Sequence, residues 1–233
     1  MHNFITQHKI ITKILIASVL CAILGGCGIN SIRVDIIEKE TDNEEEIISI
    51  QIPQIKGMSK EFCDALNEDF KSRADKRIEE FEILAEETEE KRNSKAKLTV
   101  TQGVTYNKKG MLSILGEGYE YTSGMTGRST RNAVNINTLT EQRVYLEDLF
   151  NDTEYVGFIN AKLEKMSQSD EYSDIWEKPV IGEKQNEYFY FSGDGLVIFY
   201  PPYELSYYAR GFVEFTIPYS ELYGYLKPEY CNL

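Results

Sequence analysis

Histidine is the most informative shortage in this sequence. The only two, His2 and His8, stand within the first 26 residues. A chain freed of that segment has none, which excludes a Ser-His-Asp or Cys-His nucleophile pair and any histidine-ligated metal. Proton transfer near neutrality would then need a retuned carboxylate, lysine or cysteine. Cysteine is scarce, with Cys21, Cys27, Cys63 and Cys231 alone. The single tryptophan, Trp176, reads as core or core rim. No GxxxxGK[ST], GxGxxG, CxxC or HExxH occurs, so no phosphate cradle, dithiol pair or zinc helix is signalled. Basic charge is also in deficit, with 25 Lys and Arg against 38 Asp and Glu and a net of −13. Residues 1–26 hold Lys9 and Lys13 and no acid, so without them the net is −15. Such a surface repels phosphate backbones, excluding nucleic acid, and favours a basic partner. We therefore expect no catalytic residue, no cofactor and no metal.

What is present begins with a leader. Lys9 and Lys13 precede an apolar run at 14–24, too short for a membrane span of ~20 residues. The run ends in Leu24-Gly25-Gly26-Cys27, the pattern of a lipoprotein signal: an aliphatic residue three before the cysteine, then small residues, then the thiol that receives lipid. Residues 1–26 are thus expected to be a signal peptide and 27–30 a tether. Cys27 is the expected anchor, holding the chain to the cell membrane at its extracytoplasmic face by its acyl chains. That compartment permits disulfides. With Cys21 removed and Cys27 acylated, Cys63 and Cys231 are the candidate pair. The alternative is two unrelated small residues, one on a helix and one in the tail.

The rest reads as α+β: an antiparallel β-sheet with a long helix and a second helix packed on one face. Residues 31–39 and 47–55 are expected strands around an acidic turn. Ser59 can cap a helix expected over 59–92, where Phe62, Leu66, Phe70, Ala74, Ile78, Phe81 and Ala85 recur every three or four residues. Its acidic doublets lack the spacing and glycine of a calcium loop and read as a solvated face. Strands are expected at 97–106, 111–121 and 131–138, then a helix capped by Asp152, with a short helix around Trp176. In residues 188–222, Tyr188-Phe189-Tyr190-Phe191 and Leu196-Val197-Ile198-Phe199-Tyr200 flank a turn whose Asp194-Gly195 suits positive φ. Pro201-Pro202 stops the second strand. A third follows at 212–217, and Ser220 can cap a last helical turn. We divide the chain into residues 31–138 and 139–227, sharing one core.

The order of these elements, with Ile52-Pro53-Gln54-Ile55-Lys56-Gly57, Leu146-Glu147-Asp148-Leu149-Phe150 and the blocks from Gly195 to Glu204 and from Gly211 to Leu222, resembles the extracytoplasmic region of the lysozyme-responsive anti-sigma factors, the anti-sigma-V type. It is also similar to the accessory module that precedes the catalytic domain in some peptidoglycan deacetylases. The likeness spans residues 31–227 and implies the α+β fold. It departs in two loops. Ser123-Gly124-Met125-Thr126-Gly127 lacks the family's histidine, and Leu205-Ser206-Tyr207-Tyr208-Ala209-Arg210-Gly211 is bulkier and more aromatic. With only a short leader before Cys27 and no histidine after residue 8, neither a sigma-binding domain nor a histidine-bearing catalytic domain is expected. The expectation is a recognition module alone, on a lipid tether.

The resemblance, the charge and the aromatic loop together suggest a non-catalytic lipoprotein that binds a basic protein such as lysozyme or another cell-wall hydrolase. Pro202, Tyr203, Glu204, Tyr207 and Tyr208 are the candidate contacts, since tyrosine adds area with few rotatable bonds and a polar tip. The alternative is a cell-wall glycan binder, in which the aromatics stack on sugars. An enzyme with a carboxylate pair is the weakest reading. Replacing the anchor, Cys27→Ala, is expected to move the protein from the membrane fraction to the medium and to abolish fatty-acid labelling. Retention in the membrane would refute the anchor.

Overall fold

The computed structural model describes residues 13–17, 32–89, 94–124 and 126–233. Cys27 and the tether lie outside them, as does most of the expected signal peptide. The described chain falls into two compact units: 1–101 with 118–128, and 102–117 with 129–233.

In the first unit, β2 (Arg33–Asp42) and β3 (Glu46–Lys56) form the expected antiparallel pair, in unbroken register from Arg33↔Lys56 to Asp42↔Ile47. Asn43 shapes the turn by accepting the amides of Glu45 and Glu46, both at 2.8 Å. A strand β1 (Lys13–Ala17), within the expected leader, runs antiparallel along β2. After β3 the chain enters α1 (Lys60–Glu87), with the hydroxyl of Ser59 accepting the Phe62 amide at its start. Cys63, Leu66, Phe70, Ala74, Phe81 and Ala85 form the buried stripe, and α1 packs on β3. The helix ends before the expected residue 92. Thr88 caps it by donating its hydroxyl to the Leu84 carbonyl at 2.7 Å. Acids crowd that end and no base stands in the last turn, the wrong polarity for the helix dipole.

Helix α1 makes a crossover, so β4 (Ala96–Lys108) returns parallel to β3, from Glu46↔Ala96 to Ile50↔Val100. This is a parallel step in a mostly antiparallel fold. Beyond it the β3 backbone lacks that neighbour, and Asn67 of α1 substitutes. Its side chain accepts the Ile55 amide at 2.7 Å and donates to the Ile55 carbonyl at 3.0 Å.

In the second unit, β4 turns at Lys109 (φ 55°) and Gly110 (φ 78°) into β5 (Met111–Tyr121), a two-residue hairpin of the kind that needs positive φ at both positions. The order continues through β6 (Arg128–Asn137) to the short β7 (Gln142–Arg143). Helix α2 (Glu154–Met166) starts where Asp152 accepts the Glu154 amide at 2.8 Å, and it buries Ile159 and Leu163.

A separate antiparallel sheet is ordered β10 (Val213–Ile217), β9 (Leu196–Tyr200), β8 (Phe189–Phe191). All five β9 residues are buried. The hairpin before β9 differs from expectation in its reason. Gly195 is not among the glycines with positive φ. It is needed for space, because a Cβ there would meet the Ile217 carbonyl oxygen at 2.2 Å. Ser192 ties the turn instead, its hydroxyl accepting the Asp194 and Gly195 amides. The last helical turn, α3 (Tyr219–Leu222), is led by Pro218 rather than capped by Ser220.

A buried polar chain stitches β5, β6 and β8. The Ser113 hydroxyl donates to Asn135 Oδ1 at 2.6 Å, Asn135 Nδ2 donates to the Phe189 carbonyl at 2.8 Å, and the Phe191 amide donates to Ser113 Oγ at 3.2 Å. Asn135→Ala leaves a buried carbonyl without its donor and a hydroxyl without its acceptor. It is expected to lower the free energy of urea unfolding by about 2–4 kcal/mol. An unchanged midpoint would show the chain of bonds to be dispensable.

Candidate functional site

The exit of β9 fixes the loop at 201–211. Pro201 and Pro202 have no amide hydrogen, so the ladder stops. The Glu204 amide closes a turn on the Pro201 carbonyl at 3.2 Å, which throws Tyr203 into the left-handed region at φ 71°. For a bulky residue this is an outlier that costs about 1–2 kcal/mol. Tyr203 is nonetheless 69% exposed, so no core contact obliges it to stand there. Its ring lies 5.3 Å from that of Tyr208, whose hydroxyl accepts the Ser129 amide at 3.0 Å. A short 3-10 turn (Tyr208–Arg210) and Gly211 at φ 78° lead into β10.

Leu205 and Ser206 are the loop's buried root. They hold the preceding segment to it. The Leu205 carbonyl accepts the Trp176 amide at 3.0 Å, and Ser206 Oγ lies 2.9 Å from the Asp174 carbonyl oxygen. Arg210 adds a charged clasp, 3.4 Å from Asp174 Oδ1 and donating to the Glu171 carbonyl at 3.1 Å. The result brings Trp176 beside Tyr207, with ring centroids 6.4 Å apart. Trp176 is 56% exposed and Tyr207 49%. The expectation that Trp176 belongs to the core or its rim is therefore corrected: its backbone is tied down while its indole faces water. The expected short helix around it is a 3-10 turn at Asp170–Tyr172.

The candidate contacts divide accordingly. Tyr203 and Tyr207 are exposed, while Pro202 and Tyr208 are half-buried. Glu204 is largely used internally, accepting from Gln185 Nε2 at 3.2 Å and lying 3.7 Å from Lys184 Nζ. Trp176 joins this surface and was missed. The polar residues around it, Ser173-Asp174 before and Glu177-Lys178 after, were the signal against burial. Cys63 is buried on α1 and Cys231 is exposed near the C-terminus, and both are free thiols. The expected bridge is not formed.

Electrostatically the segment is acidic. Residues 170–187 carry six acids and two lysines, which gives the segment a negative local potential. Further into the unit, Arg131 is paired with Glu117 and Glu214 and lies 4.3 Å from the Phe212 ring centroid. Burial, with Glu214 alongside, pushes the Tyr190 phenol up to about 12. Burial likewise raises Tyr200 and Tyr219. These hydroxyls stay protonated donors at neutral pH. Among the described residues no group of three or more His, Cys, Asp and Glu is placed to hold a metal ion.

Two family models match this chain. Residues 37–127 match the family described as deacetylase PdaC, and residues 147–220 match one described as a protein of unknown function, DUF3298. Each match covers less than half of the chain. The second contains β8, β9, β10 and the loop built above. No curated protein matches the chain. Among solved structures, a DUF3298 family member from Bacteroides fragilis is 18% identical with a TM-score of 0.65, covering 86% of this chain and 96% of that one. A DUF3298 family protein from Pseudomonas aeruginosa is 15% identical with a TM-score of 0.59, covering 87% and 98%. At such identity the likeness concerns the fold. The anti-sigma-V resemblance has no counterpart among these matches, whereas the deacetylase module does.

The strained backbone of Tyr203 can be tested directly. Tyr203→Gly relieves the left-handed penalty while adding unfolded-chain entropy, terms of about 1 kcal/mol each. Its denaturation midpoint is therefore expected to equal or exceed that of Tyr203→Ala. A clear deficit for the glycine variant would show that the residue is not strained.

Proposed function

We propose that this chain is a non-catalytic binding lipoprotein, held at the extracytoplasmic face of the cell membrane, that captures a basic protein such as lysozyme or another cell-wall hydrolase. One observation carries the reading: Trp176, Tyr203 and Tyr207 stand exposed on one loop and the segment bonded to it. Large aromatics of this kind are the residues that anchor protein interfaces. Their acidic setting suits a cationic partner, which gains in encounter rate. The match to a family named for a deacetylase supports work near the wall. Binding rather than turnover is favoured by composition, because the chain beyond residue 8 contains no histidine.

A second reading has its own support. The exposed indole of Trp176 is the kind of flat π-face that stacks on a sugar ring, which favours a cell-wall glycan as ligand. The two separate by assay. The protein freed of residues 1–26 is mixed with an animal-type lysozyme on a sizing column at low ionic strength, and in parallel with purified peptidoglycan in a pelleting assay. Co-elution with lysozyme is expected, weakened at ~0.5 M salt and weakened at least ~10-fold by Tyr207→Ala. Separate elution at low salt would overturn the protein reading, and pelleting with peptidoglycan would then favour the glycan.

A further inference from the structure

The second unit places its cations over its own aromatic rings repeatedly. Lys108 lies over Tyr106, Arg131 over Phe199 and Phe212, Lys162 over Phe158, and Arg210 over Tyr172. Among the described residues, no internal cation lies over Trp176, Tyr203 or Tyr207. These are the rings that face water, and Trp176 offers the best π-face for a cation. The nearby basic groups are already engaged: Arg210 with Asp174, Lys178 with Glu164 and Lys184 with Glu204. Meanwhile Asp170, Glu171 and Glu177 are exposed in the same segment as Trp176, without a base between 170 and 177. The indole itself is held. Its backbone amide is bonded to Leu205, and Tyr207 flanks the ring.

From this arrangement we infer that the Trp176–Tyr207 pair is a receptor for one cationic side chain, a guanidinium or an ammonium, presented by the partner protein. The inference rests on the reading that the partner is a basic protein, and it names the contact that partner must make. The partner's cation supplies over Trp176 what the chain supplies internally over its other rings. The acids at 170, 171 and 177 raise the local concentration of such a group. The clasp of Arg210 on Asp174 keeps the chain's own guanidinium turned to the segment's backbone and away from that role.

The test compares ring chemistry with bulk. Trp176→Phe keeps a π-face, and Trp176→Leu keeps apolar area but has none. Because the side chain is more than half exposed, both variants are expected to melt with the wild type, and circular dichroism checks this. Affinity for the same lysozyme is measured by calorimetry at low ionic strength. Trp176→Leu is expected to bind about 10-fold more weakly and Trp176→Phe to retain most of the affinity. If Trp176→Leu binds as the wild type does, the receptor is overturned while capture of a basic protein stands. If Leu and Phe weaken binding equally, the contact is apolar and the cation is overturned. If the wild type fails to bind lysozyme, both this inference and the reading beneath it fall.

Discussion

The burial of β9 on both faces governs the second unit. Leu196 to Tyr200 present no side to water, so every side chain is fixed by packing rather than by alternation. A strand enclosed this way cannot slip by one residue, because a slip would exchange all of its contacts at once. Even its one hydroxyl is satisfied at a distance, Tyr200 donating to the Val180 carbonyl at 3.0 Å. The loop that follows therefore starts from a fixed point. Pro201 and Pro202 end the ladder, and Val213↔Tyr200 begins the return. Tyr203 can be held in an unfavourable conformation only because both ends of its loop are so constrained.

Local chemistry was the readable part of the sequence. The spacing of Leu66, Phe70, Ala74 and Phe81 defined α1, and Ser59 and Asp152 marked where helices begin. Strands β2, β3, β5 and β9 lay where alternation or unbroken apolar runs put them. The end of α1 was less readable, because the charged run after Thr88 has no proline or glycine to stop a helix, whereas the Thr88 hydroxyl turns back to cap it. The parallel return of β4 is a long-range pairing, and nothing in residues 96–108 distinguishes it from an antiparallel one. Gly195 was found for the wrong reason: the turn pair suggested positive φ, while the real constraint is the Ile217 carbonyl, distant in sequence. The aromatic loop was recognisable in composition. Its partner segment was not, because Trp176 is drawn to it by Leu205 and Ser206, two unremarkable residues whose backbone and hydroxyl bonds carry no sequence signature.

Within the second unit, charge is placed with a division of labour. Arg131 and Arg210 are absorbed by acids and rings, and Glu204 is taken up by Gln185 and Lys184. The acids at 170, 171 and 177 remain in water. The overall negative charge thus masks a local distinction between groups that hold the fold and groups open to a guest. Solved structures at 15–18% identity share the fold.

Gly110 and the residue above it illustrate a quieter economy. Among the described residues Leu139 is the most exposed large apolar side chain, at 76%, yet a Cβ on Gly110 would come within 2.8 Å of its Cδ1. The leucine is laid across the naked backbone of the β4–β5 turn, and the Thr138 amide is tied to the Gly110 carbonyl at 2.8 Å. It works as a roof rather than as core. An opened turn tip is where proteases find their first purchase, so the roof shields the hairpin against clipping.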